Sequence, residues 1–335
     1  MLNQLIHKIM ELIANPNPQE MILNASEVTQ KSSSSFIEAN TQRVTLEHLK
    51  NDCIIPVFSK DNETTISHAQ FIDKTLEIVQ QLFPEEHSIL PDIRVSHTIK
   101  GRIPSAIGKP AKDLKEHEKT IYYERCAFVI EISSVIKNVN RNELSLTIGG
   151  VRSYNQENLY SKKALEKFKL FIGFQNKVCL NLCISTDGFT NAIRIGSISE
   201  LDEKVNMLIN SYNMEGHLGM MEMMSHYQLT EKQFAHFIGK TRMYHYLDKF
   251  EQKDIYPIAL NDSQINHVVK DYYRDTNFSR NEDGSINLWN LYNLFTAANK
   301  NSYIDSNLER SVNMYELINN LGNSIQNKSP NFFVT

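Results

Sequence analysis

Residues 120–132, TIYYERCAFVIEI, decide the fold. β-Branched and aromatic residues dominate, and Glu124 and Glu131 punctuate the run. That composition fits a pleated, half-buried surface, so the run predicts a strand. Asn138-Val139-Asn140-Arg141-Asn142 then reads as a turn, and residues 143–148, ELSLTI, alternate as a second strand. Together they predict an antiparallel hairpin that Gly149-Gly150 closes, with 151–154 resuming a strand. A further hairpin is expected from 168–174, the turn Gln175-Asn176, and 177–185, where Val178, Leu180, Leu182 and Ile184 alternate with polar or small residues.

Working outward, the period changes on both sides. Ser67 reads as the cap of a helix to about Leu82, with Phe71, Ile72, Leu76, Ile78, Val79 and Leu82 at helical spacing. A short helix is read at 162–167. Beyond residue 199, helices are expected at 199–213, 216–227, 230–239, 241–250, 262–273, 286–299 and 305–321. Thr230 to Gln233 forms a capping box, and Asp262 and Asp305 are N-cap candidates. Met220, Met221, Met223 and Met224 read as core filler on one helix. Toward the N-terminus, residues 3–14 read as a short amphipathic helix, open to packing on the body or to self-association. Residues 24–40 are polar and linker-like, and 53–58, CIIPVF, are a short strand candidate.

The fold class is therefore α+β: a small, mainly antiparallel sheet with flanking helices, followed by an all-helical C-terminal region. Three segments are expected: 1–40, a helix and mobile linker; 41–190, an α+β domain with a basic surface; and 191–335, helical.

Charge is distributed unevenly. The 335 residues sum to −4, yet the stretch from Arg94 to Arg125 sums to +4, and so does that from Arg152 to Lys177. The first holds Gly101, Gly108, Pro104 and Pro110 among its cations, a composition suited to a loop with free backbone N–H groups beside positive charge. The second interleaves rings, amides and cations in RSYNQENLYSKK (152–163), a mixture that single-stranded nucleic-acid sites use. The candidate contacts are Arg94, His97, Lys100, Arg102, Lys109, Arg125, Arg152, Lys162, Lys163 and Lys177. Tyr122, Tyr154 and Tyr160 are the candidate stacking rings. The reading requires the two basic islands to converge.

Other chemistries find little support. No GxGxxG, GxxxxGK[ST], GxSxG or HExxH motif occurs. Cys179 and Cys183 on a strand are roughly 13 Å apart at about 3.3 Å per residue, too far to share one zinc ion. No catalytic residue, metal or cofactor is assigned. No apolar run is long enough to span a bilayer, the start has no signal-peptide pattern, and four scattered cysteines do not form a disulfide framework, so the expected location is the cytoplasm. An enzyme acting on a phosphate-bearing substrate is the alternative, with His97, Glu118 and Glu124 as acid–base or metal candidates. A third reading is an interaction protein that neutralises a host defence factor through the Met-rich helical half.

Four strings carry a family resemblance: RVSHTIKGRIP (94–104), EKTIYYER (118–125), LTIGGVRSYNQENLYSKK (146–163) and FKLFIGFQNKVCLNLC (168–183). They resemble a bacterial family catalogued as domain of unknown function 3871, over about residues 41–321. NLWNLYNLFTAANK (287–300) resembles a broader phage- and plasmid-borne family of unassigned function. The resemblance implies cargo of a mobile element, in a setting of DNA transfer or phage–host conflict, and supplies no catalytic residues. The expected partners are nucleic acid, a host or mobile-element protein, and a second copy of the chain; a membrane is not expected.

Overall fold

The structure is a computed structural model and describes residues 35–55, 66–86, 89–156 and 165–334. The chain divides into Met1–Ser35 and Phe36–Thr335, and the account below concerns the second unit. The expected leading helix, the linker up to residue 34, the end of the 53–58 strand and residues 162–164 of the expected short helix lie outside the described residues.

The strands, in chain order, are β1 (Gln42–Val44), β2 (Asp92–Val95), β3 (Thr98–Arg102), β4 (Lys119–Tyr123), β5 (Arg125–Val139), β6 (Asn142–Ser153), β7 (Glu166–Asn176), β8 (Leu182–Cys183) and β9 (Phe189–Ile195), followed by β10 (Gln228–Leu229) and β11 (Ile286–Asn287), which pair with each other. Seven of them form one antiparallel sheet in the order β1-β2-β5-β6-β7, with β8 and β9 both pairing with β7. α+β is therefore right, but the sheet is larger than expected. β3 and β4 pair only with each other, as a separate two-stranded ribbon.

The run 120–132 thus divides at Glu124. Its first part lies in β4 and its second begins β5. The β5–β6 hairpin is as expected, and its turn places Asn140 and Arg141 at φ 46° and 65°, the left-handed pair that matches strand twist. Gly149-Gly150 does not close β6 but lies inside it. A Cβ on Gly149 would sit 2.2 Å from Phe128 O, and one on Gly150 would sit 2.5 Å from the Phe71 ring. The pair is there to admit neighbours. Phe71 descends onto the bare backbone and meets Phe128 and Phe168 edge-on, at 5.0 and 4.8 Å between ring centres.

Residues 177–181 are a turn rather than a strand. Leu180 stands at φ 57°, its N–H donates to Asn176 O at 2.7 Å, and Val178 is half exposed. The alternation there has no partner strand to satisfy. Glu166 and Lys167 open β7 instead of ending a helix.

The helices are α1 (Leu46–Asn51), α2 (His68–Leu82), α3 (Ile198–Ser211), α4 (Met214–His226), α5 (Glu231–Tyr244), α6 (Lys249–Gln252), α7 (Asp262–Arg274), α8 (Leu288–Asn299) and α9 (Ile304–Asn327). Ser67 and Thr230 cap α2 and α5 through reciprocal boxes with Gln70 and Gln233. Asn261, not Asp262, caps α7, and α9 has no side-chain cap, so Asp305 is not one. Met221 and Met224 are wholly buried, as expected of core filler.

One hydrophobic cluster runs from α2 through the sheet to α8 and α9. α8 is its centre: Leu288, Trp289, Leu291, Tyr292, Leu294 and Phe295 are all fully buried. A helix this apolar must be enclosed, and here α4, α7 and α9 pack around it. Two of its polar side chains bond to the sheet. Trp289 Nε1 donates to Asn142 Oδ1 at 2.7 Å, and Asn293 takes Asn176 Nδ2 at 3.2 Å. The segment from residue 36 is pinned as well. Phe36 and Ile37 are buried against Ile304 and Leu308, so 36–39 is not a mobile linker.

Candidate functional site

The β3–β4 ribbon and the loop that joins its strands carry most of the first basic island. Its register sets Thr98 opposite Tyr123, Ile99 opposite Tyr122, Lys100 opposite Ile121, and Arg102 opposite Lys119. Directly opposed residues share a face, so Lys100, Arg102 and Lys119 lie on one side and half-buried Tyr122 on the other. The ribbon is anchored at its base. Ile54 N donates to Ile121 O at 2.9 Å, and the buried Tyr123 meets His48 Nε2 through its hydroxyl at 2.9 Å.

Residues 103–118 close the far end as three short 3₁₀ turns. The closure is built from charge. Arg102 donates to Lys109 O, and the Lys109 ammonium meets Glu118. Glu118 Oε2 also accepts Lys115 N at 2.9 Å, and Ile103 N reaches Glu118 O at 3.0 Å. Glu118 is only 6% exposed. Its bond to Lys109, followed by the Lys115 N–H, holds its carboxyl below the usual range. The loop is therefore a folded tip. Lys100, Lys112 and Lys115 stand exposed on the ribbon and tip, with no ion pair among the described residues.

The remaining expected contacts are distributed differently. Arg94, on β2, donates to Thr41 Oγ1 at 2.9 and 3.1 Å, and burial lowers its basicity. His97 is exposed at the entry to β3. Arg125 is held between Glu124 and Asp305, at 3.0 and 3.1 Å. Lys177 pairs with Glu131. Tyr160, Lys162 and Lys163 lie outside the described residues.

Arg152 and Tyr154 are interior groups, at 1% and 2% exposure, and are not open to a polyanion. Arg152 donates to Glu166 at 2.9 Å and lies between the rings of Tyr154 and Phe168, 4.7 and 4.6 Å from their centres. Glu166 also accepts Ile66 N, at 3.1 and 3.2 Å. His68 stacks on Tyr154 at 4.2 Å and reaches Tyr123 O at 2.9 Å. Burial, and then the Arg152 charge, holds His68 neutral, with a pKa pulled down to about 3.

Among the described residues the islands meet in part, since Arg125 and Lys169 both contact Asp305, while Lys177 stands apart. Arg125 pairs with Ser153 at one end of β6, while Lys177 N bonds Glu143 O at the other. Those ends are roughly 33 Å apart at about 3.3 Å per residue. The alternative acid–base trio does not converge. Glu118 and Glu124 are separated by all of β4, roughly 17–20 Å, and each is engaged with a cation. No group of three metal-ligating side chains is found among the described residues. Lys112 and Lys115 were counted among the cations of the 94–125 stretch but not among the candidate contacts, and exposed Ile107 was passed over. For Ile107 the sequence signal is the Pro104–Pro110 spacing around Gly108.

The molecule is thus an α+β protein with a seven-stranded sheet and, separate from it, a cationic, self-closed β-ribbon. It belongs to the family described as "Domain of unknown function, B. Theta Gene description (DUF3871)", whose model matches residues 17–334. No curated protein and no solved structure matches the chain. No described helix is long and apolar enough to cross a membrane.

Proposed function

We propose that this chain is a non-enzymatic, cytoplasmic accessory protein of a mobile element that binds nucleic acid through the β3–β4 ribbon and its tip. The observation that carries the reading is the exposure of Lys100, Lys112 and Lys115 on one ribbon and tip while two of its three carboxylates, Glu116 and Glu118, are spent on Lys119 and Lys109 and only Asp113 stands exposed beside Lys112. A two-stranded ribbon is narrow enough to enter a nucleic-acid groove, and phosphates are the partner that unpaired cations select. The mobile-element setting rests on the sequence resemblance alone. The preference for single strands loses support with Tyr154 buried and Tyr122 half-buried, so the proposal covers both single strands and duplexes.

Fluorescence polarisation with labelled single- and double-stranded 30-mers across salt tests it. Binding that weakens steeply with salt, and that the triple variant Lys100→Glu/Lys112→Glu/Lys115→Glu abolishes, is the expected result. No binding at low salt, or an affinity indifferent to salt, rejects it.

A further inference from the structure

Ile107 is 76% exposed where the first turn of the cationic tip ends. Its neighbour Ala106 is fully buried, so the turn has an inside and an outside, and the larger side chain faces out. The backbone holds this arrangement. Ile107 N donates to Pro104 O at 3.2 Å, Lys109 N donates to Ala106 O at 3.2 Å, and Gly108 takes φ +93°, a conformation that L residues rarely adopt. Pro104 and Pro110 restrict the chain on either side, and Arg102 fastens Lys109 O to the ribbon. A floppy loop could fold its isoleucine inward; this one presents it.

We propose that Ile107 is a wedge, inserted between stacked base pairs of duplex DNA to kink the duplex, while Lys112 and Lys115 hold the flanking phosphates. The inference rests on the nucleic-acid reading above. The cations bring a polyanion to the tip, and the dry surface a nucleic acid offers an apolar side chain is its base stack. Proteins that bend DNA use apolar wedges on small protrusions in this way, and the unstacking is offset by the contacts that the bend allows.

The test uses the full chain and a 30-base-pair duplex carrying 2-aminopurine at its centre and a fluorophore pair at its ends. Wild type is expected to raise both the 2-aminopurine emission and the energy transfer between the ends. Ile107→Ala is expected to bind within about threefold of wild type, with the same salt slope, and to lose both signals, because phosphate contacts supply affinity and the wedge supplies deformation. Circular dichroism checks that the variant is folded, as a change at an exposed side chain allows. Salt-dependent binding by wild type without either signal, or full signals from Ile107→Ala, overturns the wedge and leaves the binding reading intact. Absence of wild-type binding overturns both.

Discussion

Arg152 and Glu166 form an ion pair at 2.9 Å with their side chains 0% and 5% exposed. The pair joins β6 to β7, and through Ile66 N it also holds the chain entering α2. Removing one partner leaves the other charge buried. Arg152→Ala or Glu166→Ala is therefore expected to lower stability by about 3–5 kcal/mol in chemical denaturation. Arg152→Met/Glu166→Leu is expected to recover most of the loss. If either single variant stays within about 1 kcal/mol of wild type, the two charges do not depend on each other for burial.

The glycine pair makes a graded expectation. Gly149→Ala sets a Cβ against a backbone oxygen at 2.2 Å, whereas Gly150→Ala meets a Phe71 ring atom at 2.5 Å and Lys169 O at 2.7 Å. Both are expected to destabilise by at least about 1–3 kcal/mol, Gly149→Ala the more because the Phe128 oxygen cannot rotate away. Gly219, inside α4, has nothing within 4 Å of an added Cβ. Gly219→Ala is expected to stabilise by about 0.4–1 kcal/mol, and thermal melts of the three variants rank them.

Acid should weaken the fold through two histidines. His68 and His217 are each held down to about 3, in both cases chiefly by burial. Below the ordinary histidine value of about 6.5 the unfolded chain takes up protons that the folded chain refuses. Stability is therefore complete above about pH 6.5 and falls as pH drops toward 3, at up to about 1.4 kcal/mol per pH unit for each histidine. Stability curves from pH 7 to 4 should show this slope, and His217→Phe should reduce it by about one proton. An unchanged slope would mean that His217 titrates normally in the folded protein.

Glu118 closes the ribbon tip, and its carboxyl is held low by Lys109 and the Lys115 N–H. A depressed carboxylate contributes while ionised, so closure is present above the ordinary carboxylate value of about 4.3 and is lost as pH falls through the lower folded value. Glu118→Gln should raise amide exchange across residues 103–118 at neutral pH and leave the melting temperature unchanged. Exchange equal to wild type would show that the Glu118 carboxylate does not hold the tip.

The tip also shows where local reading stops. Residues 94–125 were visible as a basic, Pro- and Gly-broken stretch, but sequence could not tell which cations remain available. Lys109 and Lys112 look alike in one dimension. Only the fold sets Glu118 against the first and leaves the second in water. Arg152 and Tyr154 are the sharper case: the aromatic–cation pattern that suggested a stacking surface is the same pattern that packs a buried guanidinium between two rings.

By itself, the sequence determined the α+β class, the β5–β6 hairpin, the capped starts of α2 and α5, and the core role of the Met221–Met224 helix face. Each follows from residues within a few positions of one another, where period, turn chemistry and capping act locally. Tertiary structure alone decided that 120–132 divides between two sheets, that Gly149-Gly150 lies within a strand, and that the second basic island turns partly inward. Those outcomes depend on partners far along the chain, on Phe71 approaching β6 and on Glu166 meeting Arg152, and desolvation and close packing act on neighbours in space whatever their separation in sequence.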